Sequence, residues 1–258
     1  MPGHCRPNVE SRAGYLPALR SYPLHLHMER HRAAELAAIQ AADLLIGVTP
    51  TITAHLQAKG RAPAVFVPNA IDTVPVDRPP PAVPQLVYAG SLAYGRDLQP
   101  IFAAMAALRQ AGSGLGLTYI GNDGTAALAQ AETHGVTDLL TCLPQMPSAQ
   151  ALAQVAAASA GIVLSSPGYG YAYPGKIFEI LAEGRPILAI GEADSEIVQL
   201  PRTVHCGWSH TPDDHAGLVA TLHRISQGDL PQLDGLQRFS VDATMRDLDA
   251  ALRRLIGS

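Results

Sequence analysis

Of the eighteen basic residues in this 258-residue chain only two are lysines. One of them, Lys176, stands where chemistry is expected. It lies in the stretch SSPGYGYAYPGKIFEILAEGRP, residues 165–186. An apolar run ends at Ser165, and a loop rich in Gly, Ser and Tyr follows. Pro174 and Gly175 then open a predicted helix over 175–183, with Lys176 in its first turn. A cation is out of place at the positive end of a helix dipole. It fits there when an anion is held jointly by the ammonium and the free amide N–H groups. Glu179, three residues on, shares the same face. A carboxylate at that place accepts hydrogen bonds from two adjacent hydroxyls, as on a ribose. The alternative is a plain Lys176–Glu179 surface pair worth ~0.3 kcal/mol.

Other chemistries find less support. There is no Gly-x-Ser-x-Gly elbow for a serine hydrolase. There is no P-loop, and GYGYAYPG has the wrong third-glycine spacing for a dinucleotide fingerprint. His25, His27 and His31 cluster with Glu29, and His27 and His31 are one helical turn apart. They lack a fourth ligand at sensible spacing, so the expectation is a solvated or interface helix end and no metal. Cys5, Cys142 and Cys206 are odd in number and widely spaced, which points to idle thiols in a reducing compartment. The formal net charge is -4, which argues against nucleic acid as a partner. No apolar run reaches the ~18 residues of a membrane span, and residues 1–20 lack the apolar core of a secretory signal. The expectation is a cytoplasmic chain, with peripheral membrane contact left open.

The elements that must position these residues follow from periodicity. Hydrophobic residues make up 47% of the chain and charged residues 16%, which excludes disorder. Apolar runs at Leu86–Gly90, Leu115–Gly121, Leu139–Leu143, Gly161–Ser165, Pro186–Gly191 and Thr203–Trp208 alternate with helical stretches near 98–111, 124–134, 148–158, 175–183, 194–200 and 213–227. Strands apolar on both faces and separated by helices mean a parallel sheet covered on both sides. The fold class is therefore α/β, a doubly wound, Rossmann-like parallel sheet. Upstream, Met28–Ala42 and Pro50–Lys59 read as helices, and Leu44–Thr49 and Ala64–Asn69 as strands. That is too little for a second complete domain. The expected organisation is a partial N-terminal domain (1–77), a proline-rich linker (78–84), the main domain (85–228) and a C-terminal docking helix (229–258) with Met245, Leu248, Leu252 and Leu255 on one face.

Ligands of such sheets bind beyond the carboxyl ends of the strands. The residues there are Gly90-Ser91, Gly121-Asn122-Asp123, Pro144-Gln145, Ser165 to Gly168 and Gly191-Glu192. All five places are rich in small or polar residues, although any strand-to-helix turn favours these types.

On these residues the chain resembles the GT-B glycosyltransferases, family 4 type. PGKIFEILAEGRP resembles their donor-site motif P-G-K-x-x-E-x-x-A-x-G-x-P. ADLLIGVTPTITAHL (42–56), VFVPNAID (65–72) and LVYAGSLAYGRDLQPIFAAMAAL (86–108) resemble, in order, the end of their first domain, the interdomain crossing and the first strand and glycine loop of the donor domain. The resemblance implies transfer of a sugar from a nucleoside diphosphate sugar to an acceptor, with retention. It implies that Glu179 binds the ribose hydroxyls, that Lys176 and the amides of Gly175 and Lys176 lie near the diphosphate or sugar, that Arg96 sits on the diphosphate, and that Gly90 and Ser91 lie beneath the phosphates. Arg96 and Lys176 are the implied catalytic pair, with no metal and no cofactor besides the donor. The chain departs from the pattern at Tyr171, where many members carry a second glutamate, at Asn69-Ala70 in place of Asn-Gly, and at Gly95-Arg96 in place of a lysine. The resemblance enters near the end of the family's first domain. The missing acceptor side implies a truncated chain, a partner polypeptide that supplies it, or a non-catalytic nucleotide-sugar-binding subunit. An unrelated Rossmann-like enzyme such as an epimerase is the remaining alternative.

Overall fold

A computed structural model describes residues 22–71 and 78–257, with the backbone alone for 22–28. The N-terminal segment with Cys5 and the side chains of His25 and His27 fall outside the described residues.

The first piece comprises α1 (Tyr22–Ala41), β1 (Leu45–Gly47), α2 (Pro50–Lys59) and β2 (Ala64–Phe66). The strands β1 and β2 pair in parallel. Thr49 caps α2 by accepting the Ile52 N–H, and Pro50 fills the first turn, where its missing N–H costs nothing. α1 begins at Tyr22, six residues before the predicted start, because a proline in a first turn is compatible with helix. Its expected apolar face is not buried: Ile39 is covered, but Leu36 is exposed.

The second piece runs through β3 (Gln85–Ala89), α3 (Gln99–Gln110), β4 (Gly116–Ile120), α4 (Gly124–Thr133), β5 (Leu140–Leu143), α5 (Ser148–Ala157), β6 (Ala160–Leu164), α6 (Lys176–Ala182), β7 (Ile187–Ile190), α7 (Glu196–Thr203), β8 (Gly207–His210) and α8 (His215–Ser226). Its six strands are ordered β5-β4-β3-β6-β7-β8 and pair in parallel throughout. This is the doubly wound order expected of alternating apolar strands and helices. Side chains alternate across the sheet. Leu86, Tyr88, Leu117, Tyr119, Ile162 and Leu164 pack under Phe102, Met105 and Leu222 on one face. Val87, Val163, Ile187 and Ala189 pack under Ile177, Leu181, Ile197 and Phe239 on the other.

Two expectations are corrected. The strand predicted at Thr203–Trp208 lies at Gly207–His210, because α7 continues through Thr203 despite Pro201. The C-terminal helix, α9 (Val241–Ile256), is present, but it does not dock through Met245, Leu252 and Leu255, which are exposed. Its buried positions are Thr244 and Ala251, so the narrow small-residue face is the one turned inward.

The crossing between the pieces is tied to the second one. The Ile71 N–H donates to Phe239 O at 2.6 Å. Arg185, almost wholly buried, donates to Ala156 O and Pro79 O. Arg78 reaches both the carbonyl and the carboxylate of Glu183.

Candidate donor site

In the sheet order, β3 leads to β4 on one side and β6 leads to β7 on the other. The loops after β3 and β6 therefore diverge, and a crevice opens between them at the strands' carboxyl ends. Gly90 and Ser91 lie on one side of that crevice, and Ser165 through Lys176 on the other.

The loop after β3 is held by a network rooted in the sheet. Tyr88 and Tyr119 face each other in register on adjacent strands, with ring centroids 6.0 Å apart. The Tyr88 hydroxyl donates to Ser91 O at 2.7 Å, and the Tyr119 hydroxyl accepts the Asp123 N–H at 2.9 Å. Asp123 Oδ2 in turn accepts from Ser91 Oγ and from the Leu92 N–H, each at 2.8 Å. Those two donors, the Leu92 amide foremost, hold the Asp123 carboxyl below its ordinary pKa. Burial pushes the Tyr88 hydroxyl up to about 12, so it remains a donor at neutral pH. At the loop's tip Tyr94 and Gly95 are both left-handed, with φ of 62° and 76°. Gly95 supplies this conformation without a side-chain clash. A methyl built on it would stand 3.1 Å from Pro167 Cδ, so the tip lies against the opposite loop.

The candidate residues lie around this frame. Arg96 Nη1 donates to Ser91 O at 3.3 Å. A methyl built on Gly90 would lie 3.6 Å from Lys176 Cε and 3.2 Å from the Tyr88 hydroxyl, so the lysine stem leans over Gly90. The fold thus brings Gly90, Ser91, Arg96 and Lys176 together at the crevice. Gly175 precedes α6, whose first amides have no side-chain cap. Glu179 is exposed one turn further along, while Ile177, Phe178, Ile180 and Leu181 are buried. Lys176 and Glu179 do not pair with each other, and neither bonds another side chain among the described residues. The simple surface pair is therefore not what occupies them. Two cations beside a close-approach glycine, with a carboxylate one helical turn away, suit a phosphate group attached to a polyol.

Several contributors escaped sequence reasoning. Tyr88 and Tyr119 both stand two residues before a strand-end glycine, in YAG and YIG, and that repeated spacing was a usable signal. Thr49 and Glu196 gave none. Thr49 Oγ1 donates to Tyr171 O at 2.7 Å, and Glu196 accepts the Thr51 N–H at 2.7 Å, across more than a hundred residues of chain.

A second constellation, Asp214–His210–Thr221, has hydrogen bonds of 2.7 and 2.8 Å. Its hydroxyl is buried on α8, so it ties β8 to that helix. Among the described residues no three His, Cys, Asp or Glu side chains gather as a metal site. No described helix is long and apolar enough to cross a membrane. Cys206 is buried and Cys142 exposed.

No family model matches the chain. The probable glycosyltransferase WbjE of Pseudomonas aeruginosa is 30% identical over 95 residues, which are 36% of this chain and 24% of that protein. Among solved structures, the lipopolysaccharide outer core galactosyltransferase WaaB aligns with a TM-score of 0.63 at 17% identity, over 83% of this chain and 62% of its own. The pneumococcal O-GlcNAc transferase GtfA, solved with UDP and GlcNAc, aligns with a TM-score of 0.60 at 15% identity, over 84% of this chain and 46% of its own. The chain thus spans about a quarter of the curated relative and under two thirds of these structures. With its strand order, its crevice at the β3/β6 switch and these alignments, the chain has the GT-B glycosyltransferase fold.

Proposed function

We propose that this chain is the donor-binding side of a retaining glycosyltransferase that moves a sugar from a nucleoside diphosphate to an acceptor hydroxyl. The observation that carries the reading is Lys176 leaning over Gly90 with Arg96 beside Ser91, at the switch point of the sheet. In the reaction the bond between the sugar's anomeric carbon and the diphosphate oxygen breaks. The acceptor oxygen forms the new bond on the same face of the sugar and passes its proton to the departing diphosphate oxygen. Negative charge grows on the departing diphosphate, and two cations there stabilise it more in the transition state than in the ground state. Gly90 and Ser91 offer backbone close to the phosphates, and Glu179 takes the ribose hydroxyls. Arg96 and Lys176 supply the positive charge, so the reading needs no metal and no cofactor besides the donor. GtfA, with the same fold, holds UDP and GlcNAc, which supports a nucleotide sugar as ligand. The reading places the chain in the cytoplasm.

Titration calorimetry with UDP- and GDP-sugars tests the assignment. We expect binding by the wild type and a loss of about tenfold in Glu179→Ala, since a charged hydrogen bond contributes ~1.5–3 kcal/mol. A folded sample that binds neither donor, or a Glu179→Ala variant of unchanged affinity, counts against it. A second reading is a binding subunit completed by a partner that carries the acceptor side. The exposed Ile46 and Val48 on the two-stranded first piece favour it. Sugar transfer or donor hydrolysis by the isolated chain would reject it.

A further inference from the structure

The loop from Ser165 to Gly175 touches the first piece through two buried polar residues that the proposed chemistry does not use. Thr49 is fully buried and Glu196 is 5% exposed. Thr49 Oγ1 accepts the Ile52 N–H within its own helix and donates to Tyr171 O at 2.7 Å in the loop. Glu196 works in both directions. Its carboxylate accepts the Thr51 N–H of the first piece at 2.7 Å, and its own N–H donates to Gly170 O of the loop at 2.6 Å. Tyr173, also on the loop, has its hydroxyl pushed upward by burial first and by the Glu196 carboxylate next. If the pieces part, a buried carboxylate loses a donor and Tyr171 O loses its hydroxyl. Leaving such groups unpaired is costly.

We propose that Thr49 and Glu196 are positioning residues: they clamp the loop that ends in Lys176 to the first piece, so that donor affinity depends on contact between the two pieces. The proposal rests on the donor-site reading above. Neither residue is asked to touch the donor. Because coupling is reciprocal, a ligand that fixes the loop tightens the contact, and the contact tightens the ligand. The loop carbonyls of Gly170 and Tyr171 are the shared element, and both lie within six residues of Lys176.

Calorimetric titration with UDP and GDP, on the wild type, Thr49→Val, Thr49→Ser and Glu196→Gln, tests the clamp at a temperature where thermal unfolding shows each variant folded. Thr49→Val is expected to weaken binding by about fivefold or more, in the range of typical coupling, and Thr49→Ser to restore it. A merely structural cap would lower the melting temperature and leave the affinity of the folded protein unchanged. Hydrogen exchange on the wild type gives a second readout that no folding defect can obscure. Adding the nucleotide that binds should slow exchange at residues 169–173 and 49–53 together. Wild-type binding with equal affinity in Thr49→Val, or protection confined to the loop, overturns the clamp alone. If the wild type binds neither nucleotide, the donor-site reading falls and takes the clamp with it.

Discussion

The two pieces of this protein are written in the same local grammar and end in different states. In the second piece every residue of β6 and β7 is buried, because helices cover both faces of the sheet. In the first piece Leu45 and Gly47 are buried, while Ile46 between them is 45% exposed and nearby Val48 39% exposed. Both are short apolar parallel strands, and both are followed by helices. The difference is the number of layers. A strand that is apolar on both faces needs cover on both, and among the described residues α2 covers β1 on the side of Gly47, which lies against Thr53, while Ile46 on the other side is exposed. The first piece therefore draws order from the second, through Thr49, Thr51 and Ile71. The lesson is that burial, more than sequence pattern, separates a self-sufficient unit from a dependent one.

That contrast can be broken by mutation. Phe102→Ala, in the fully buried core under β3 and β4, should cost about 3–5 kcal/mol in urea unfolding and lower the melting temperature of the whole chain. Arg96→Ala should leave the unfolding curve nearly unmoved. It should weaken nucleoside diphosphate binding by roughly tenfold or more by calorimetry, as one charged hydrogen bond is lost.

Tyr88→Phe removes the bond to Ser91 O without opening a cavity. We expect a loss of about 1 kcal/mol in stability, with a slackened glycine loop and faster hydrogen exchange at Leu92 and Ala93. Asp123 sharpens the same region through pH. Its carboxyl is held below the ordinary value of ~3.9, so its contribution is complete above that value and disappears as pH falls through the lower, folded one. The stability difference between wild type and Asp123→Asn should be flat above about pH 5 and close below pH 4. The smallest effect is expected at Ile46→Ser, within ~0.5 kcal/mol, because half of that side chain already faces water. A loss as large as that of Phe102→Ala would erase the distinction between the pieces.

Much of the second piece was legible from residue order. Runs such as Gly161–Ser165, apolar up to the closing serine, read as strands buried on both faces, and 98–111 carries apolar residues at helical spacing. Strand β8 was misplaced because Val204 and Cys206 are apolar and buried without being sheet. The face of α9 was misjudged because spacing reports where apolar residues lie and not which side a neighbour covers. At the site, Lys176, Arg96 and Gly90 stood out by type and position, and the fold gathers them. The network behind them did not stand out. Tyr88 bonds a backbone carbonyl, Asp123 bonds a backbone amide, and Glu196 reaches an N–H 145 positions away. Apart from the repeated Tyr-x-Gly spacing at the ends of β3 and β4, residue order gives no sign of partners that are main chain.

The tethering of the crossing has a mechanical consequence. Ile71 is bonded to Phe239, and Pro79 is bonded to Arg185, so the chain is anchored to the second piece at both of these residues. Any swing of one half against the other must then be absorbed upstream, in the four residues from Val67 to Ala70. Pro68 restricts its own φ in that span, and Asn69 is the exposed residue there. The fulcrum is short and lies at Asn69-Ala70, and a second proline at position 70 would stiffen the whole molecule there.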